Sequence, residues 1–178
     1  MSSIKKWICN IVNSASHQPK NSLMVLCFSD THSLHDKIPK DWFPPVDIVI
    51  FAGDFTSTGS LKDTISFKNF FKSLQCRYKV LIAGNHEVTY DVENRSDIIG
   101  HYLRGFGNDY PNVVKEYQKR NGGINPNQTT KSYDDEVLNL IKKEITEDNE
   151  LIYLEESSIN IVLFSITGLF QHTQIKIK

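Results

Sequence analysis

Hydrophobic residues in the first half of the chain gather into three short, nearly continuous runs: LMVLCF at 23–28, DIVIFA at 47–52 and YKVLIA at 78–83. Runs this short, rich in β-branched residues and lacking an alternating polar face, predict strands covered on both sides, as in a parallel sheet. Between the second and third runs, SLKDTISFKNFFKSLQC carries Leu61, Ile65, Phe70, Phe71 and Leu74 at helical spacing, and Ser60 with Asp63 resembles a capping box. Strand, helix, strand predicts a right-handed crossover unit. Pro39, Pro44 and Pro45 make the first connection irregular, because each restricts the residue before it.

Beyond the third run the pattern turns polar, and NGGINPNQTT at 121–130 reads as a loop. The spacing then predicts a helix from about Tyr133 to Glu144, with Ser132 as its cap and Asp134, Asp135 and Glu136 in its first turn. Val137, Leu140, Ile141 and Ile145 share one face of it. LIYL at 151–154 and INIVLFSI at 159–166, separated by EESS, predict two further strands with a hairpin as one pairing. Residues 1–22 read as an extension, and the closing IKIK fits either an edge strand or a tail.

Length and charge narrow the field. At 178 residues the chain suits one domain with a hydrophobic core. Twenty Lys and Arg against 21 Asp and Glu leave no overall field that would draw nucleic acid or an anionic membrane. The apolar stretch at 159–170 is shorter than the ~18 residues of a spanning helix. Cys9, Cys27 and Cys76 are scattered and odd in number, which predicts reduced thiols in a cytoplasmic protein, with Cys27 a small buried one.

The candidate chemistry lies where the apolar runs stop. They end in SDTH, AGDFT and AGNHE. Any one of these reads equally as a capping or turn residue set, but all three at successive strand ends point to a common site. In open α/β sheets ligands bind beyond the carboxyl ends of the strands, so Asp30, His32, Asp54, Asn85 and His86 are expected to converge. Mixed imidazole and carboxylate donors suit Zn, Fe or Mn better than Ca. Two divalent cations on two carboxylates would leave about two positive charges, attractive to phosphate oxygens.

In order and spacing, DTH, GD and GNHE resemble the first three motifs, D-x-H, G-D and G-N-H-[DE], of the calcineurin-like metallophosphoesterases. VLCFSDTHS, DIVIFAGDFT and YKVLIAGNHEVTY are similar, more particularly, to the metallophosphoesterase domain-containing subgroup, some members of which hydrolyse cyclic nucleotides. The resemblance implies an α/β fold: a metallophosphoesterase-like β-sandwich with flanking helices, βαβ units in the N-terminal half and an incomplete second sheet. It places the domain at 23–168 and leaves 169–178 as a divergent tail. By the same resemblance Asp30 and His32 would ligate a first metal, Asp54 would bridge two, Asn85 would ligate the second, and His86 would steady or protonate the leaving group. The implied cofactors are two divalent ions, Mn, Fe, Zn or Mg, and the implied partner is a small phosphoester, a cyclic nucleotide being one candidate.

The sequence also departs from that family. The family's strand-end histidine and its G-H-x-H motif are absent, so the second metal would keep only Asp54 and Asn85. His172 lacks the preceding glycine and the following histidine, and His17, His35 and His101 read as exposed or loop residues. Two functions follow: a metal-dependent phosphoesterase, or a truncated non-catalytic isoform or gene fragment with partial metal binding or an interaction role. Uncovered sheet edges and apolar sheet surface would make the chain marginally stable, prone to aggregation or dependent on a partner.

Overall fold

A four-stranded parallel sheet frames the molecule, with strands β1 (Val25–Phe28), β2 (Val46–Phe51), β3 (Cys76–Leu81) and β4 (Ile152–Tyr153) side by side in chain order. The computed structural model describes residues 23–91, 109–122, 130–163 and 173–177. The expected extension at 1–22, the inner part of the expected loop at 123–129, and residues 164–172 therefore lie outside the described residues. The three strands anticipated from the apolar runs are present, each shifted by one or two residues.

Helix α1 (Leu61–Lys72) makes the crossover between β2 and β3. Its start is fixed as the sequence suggests: the Ser60 side chain accepts a hydrogen bond from the Asp63 amide at 3.1 Å. Helix α3 (Thr130–Thr146) begins earlier than expected. Ser132 is inside it rather than capping it, and Asp134, Asp135 and Glu136 fall past its first turn. No Pro or Gly separates Thr130 from Ser132, so nothing in the chain stops the helix from extending upstream. Helix α2 (Asp109–Asn121) was not anticipated. It carries few apolar residues, although Val114 packs against the core, and it ends at Gly122 with φ +73°.

β2 and β3 are covered on both faces, as their unbroken apolar runs require. On one face Val49, Phe51 and Leu81 join Phe55, Phe67, Phe71, Ile141 and Ile145 beneath the helices. On the other, Ile48 and Val80 pack with Leu154 and Ile161 under a second sheet. Within the described residues that sheet has two antiparallel strands, β5 (Ile159–Leu163) and β6 (Thr173–Ile177). β4 and β5 do not form a hairpin: β4 pairs in parallel with β3, and the intervening EESS carries the chain to the second sheet. The closing isoleucines serve as strand residues, with Ile161 opposite Ile175 and Ile159 opposite Ile177. Among the described residues β1 lies at the sheet's edge, and its Val25 and Cys27 are exposed, contrary to the expected buried Cys27 thiol.

Register prepares the site. Phe28, Phe51, Leu81 and Tyr153 lie in one row across the sheet, so the four strands end level and the residues after them share one edge.

Candidate metal centre

Three turns leave that edge in contact with one another. The turn after β1 is laced to the turn after β2 by backbone bonds from the amides of Asp30, His32 and Ser33 to the carbonyls of Gly53, Asp54 and Phe55, at 3.0, 3.0 and 3.1 Å. Holding these turns places Asp30, His32, Ser33 and Asp54 at positive φ, between 42° and 62°. Few non-glycine residues adopt such angles, and they concentrate where a fold orients working side chains. The second and third turns meet through Gly53 and Gly84. A Cβ on Gly84 would collide with Asp54 Oδ1, and one on Gly53, itself at φ +96°, would lie 2.8 Å from Gly84 Cα. Only glycine permits this approach.

The result is a half-buried group of His32, Asp54 and His86 whose donor atoms lie within 4.8 Å of one another. The two imidazoles sit edge to face, 4.4 Å between centroids. Asp54 Oδ1 accepts the His86 amide at 3.0 Å, which ties the carboxylate to the third turn. His86 Nδ1 is 2.8 Å from the Ser57 carbonyl oxygen. A carbonyl only accepts, so Nδ1 carries the hydrogen and the lone pair of the neutral ring is on Nε2, the form that suits a ligand or a base.

Two further predicted donors lie on the same turns. Asp30 is largely exposed, takes a hydrogen bond from the Ser29 hydroxyl and lies 3.8 Å from His32 Nε2. Asn85, between Gly84 and His86, lines a cleft of about 1120 Å³ with Glu87, Lys142, Tyr153 and Glu155. In that cleft Lys142 Nζ is held by the Tyr90 carbonyl at 3.1 Å and by Glu155 at 2.8 Å.

Sequence reasoning missed Glu87. It was legible as the last letter of GNHE, but nothing local shows that its carboxylate is buried at 1% exposure and accepts hydrogen bonds both from its own turn and from the turn after β2. His35, expected to be exposed or in a loop, is instead 1% exposed. Its Nε2 meets Ser66 Oγ at 2.9 Å and its ring packs on Phe67 and Phe70, side chains from α1 that a local reading does not bring near. His17, His101 and His172 lie outside the described residues.

Two imidazoles and a carboxylate form a donor set that fits a first-row divalent cation, and three protein donors leave positions for water or substrate. A family model described as calcineurin-like phosphoesterase matches residues 23–172. The chain is 42% identical over 82 residues to metallophosphoesterase domain-containing protein 1 of Homo sapiens, a stretch covering 46% of this chain and 24% of that protein. The figures for the Mus musculus protein are the same. It is 38% identical over 73 residues to a UPF0046 protein of Caenorhabditis elegans, covering 40% of this chain and 25% of the other. The chain thus spans about a quarter of the length of these curated relatives.

Proposed function

Because the chain belongs to the calcineurin-like phosphoesterase family, we propose that it hydrolyses a small phosphoester, diester or monoester, in a metal-dependent reaction. The convergence of His32, Asp54 and His86 carries this reading. In it Asp30, His32 and Asp54 would hold one divalent cation, and Asp54 with Asn85 would offer donors to a second. Bound cations would supply a water acidified toward neutral pH and a Lewis acid for the phosphoryl oxygens. The residues do the positioning. Asp54, between the other two turns, sets where the phosphoryl group sits. His86, its Nδ1–H fixed on Ser57, would steady or protonate the leaving oxygen through Nε2. The cleft that begins at Gly84 and Asn85 gives the rest of the substrate room. Cyclic nucleotides are the first substrates to try, on the strength of the subgroup resemblance. A cytoplasmic location is proposed from cysteine usage, and no helix among the described residues is long and apolar enough to cross a membrane.

The test is hydrolysis of bis(4-nitrophenyl) phosphate with added Mn²⁺, beside Asp54→Ala. Metal-dependent turnover that falls to the metal-free background in the variant supports the proposal. Equal rates in both proteins reject it. A second reading, a non-catalytic chain that holds one cation, is favoured by the single three-donor group found among the described residues. Calorimetric titration showing one equivalent of Mn²⁺ bound without turnover would select it.

A further inference from the structure

We propose that Glu87 is a positioning residue whose buried carboxylate fixes the backbones of the two turns that present Asp54 and His86. The inference rests on reading that site as a metal centre. Glu87 Oε2 accepts the amides of Asp54 and Gly84, each at 2.8 Å, and Oε1 accepts the amide and the hydroxyl of Thr56, each at 2.8 Å. Four donors thus converge on one side chain that is 1% exposed.

A local role explains only one of these bonds. Reaching back to Gly84, three residues earlier, is what a turn residue does to cap its own backbone. The bonds to Asp54 and Thr56 cross 33 and 31 residues of chain, from the end of β3 to the end of β2. Glu87 therefore joins two loops that the sheet brings level but does not itself bond together. Its bond to the Asp54 amide falls where the backbone has φ +59°, and its bond to Gly84 falls where a Cβ would strike Asp54. From there the order passes to the donors: with the Asp54 backbone held, Oδ1 meets the His86 amide at 3.0 Å. Outer partners of this kind orient metal ligands without touching the metal.

The chemistry of the clamp requires a carboxylate. Three partners are backbone amides, which only donate, and the Thr56 hydroxyl donates as the fourth, so each oxygen accepts twice. Glutamine fills the same space but turns an NH₂ group onto at least one of the three backbone amides, which leaves it without an acceptor in a buried site. A residue that served only by filling space would tolerate Glu87→Gln.

The test uses the full chain with Glu87→Gln and Glu87→Asp. Amide hydrogen exchange is read at Asp54, Thr56, Gly84 and His86, with Val49 and Leu81 in the strands as references, and Mn²⁺ alone is titrated calorimetrically. In Glu87→Gln the four turn amides should exchange faster while the references hold, and Mn²⁺ affinity should fall roughly 10- to 100-fold. Glu87→Asp, which keeps both oxygens on a shorter arm, should fall between the two. Unchanged exchange at Asp54 and Gly84 in Glu87→Gln, or Mn²⁺ bound as tightly as by the parent, overturns the proposal. Should Glu87→Gln not fold, Glu87→Asp decides: parental exchange and parental affinity overturn it. A parent that binds no Mn²⁺ sinks the metal-centre reading on its own, and the exchange data then judge the clamp separately.

Discussion

At His35 the chain commits a titratable ring to its core. Burial pushes the imidazole pKa below its ordinary 6.5, against the upward pull of Asp36 and Asp63. The folded state therefore favours the neutral ring, with Nε2 against Ser66 and, among the described residues, no partner at Nδ1. In the unfolded chain the same ring protonates near its ordinary value. Below that pH the unfolded state binds more protons than the folded one, so this group's contribution is complete above about pH 6.5 and is lost as pH falls toward the lowered folded value. The slope in that window is at most about 1.4 kcal/mol per pH unit for one proton. Urea unfolding at pH 7.5 and 5.5 should show the parent losing more stability than His35→Leu over the same interval. Equal losses would place the pH sensitivity elsewhere. The burial of His35 was not legible because SLHDK offers one apolar residue, Leu34, which is itself exposed, and the aromatic rings that enclose His35 arrive from α1, some thirty residues later.

Elements were legible where their signals are local. The start of α1 was written in Ser60 and Asp63, and four of the five residues expected on its inner side, Leu61, Phe70, Phe71 and the following Leu74, are buried, while Ile65 is half-buried and Phe67 is fully buried. Ser60→Ala should therefore cost about 1 kcal/mol, and Ser60→Asp, which keeps an acceptor and suits the helix N-terminus, much less. Urea midpoints at constant slope measure both; a neutral Ser60→Ala would show that packing of Phe67 and Phe71 alone sets this end. The failures have a different cause. α2 carries few apolar residues, so its pattern is faint, and the pairing of β4 and β5 depends on which sheet edge lies nearest, a property of the fold and not of LIYL or INIVL. Ion pairs from Lys68 to Glu144 at 2.5 Å and from Lys72 to Asp148 at 2.9 Å join α1 to α3 and the residues after it across equally distant stretches of chain. They were equally unreadable from the sequence.

For the molecule as a whole, the site exists only because the sheet does. SDTH, AGDFT and AGNHE are separated by tens of residues, and the level ends of β1, β2 and β3 make them neighbours. That much could be read from three apolar runs each ending in a polar cluster. His32, Asp54 and His86 are among the five residues expected to converge; that they form the three-residue group, with Asp30 beside His32, follows from turn geometry at positive φ, which the motifs do not spell out. An unfolded chain disperses these donors, so a cation that binds the convergent group binds the native state in preference. Native-only binding stabilises by RT ln(1 + [L]/Kd), about 2.7 kcal/mol at a hundredfold excess over Kd. Thermal unfolding of the parent should therefore shift upward with Mn²⁺ concentration and return on adding EDTA, and Asp54→Ala should show little of the shift. A parent midpoint that ignores Mn²⁺ would argue against a preformed centre. An equal rise in Asp54→Ala would place the bound ion elsewhere on the protein.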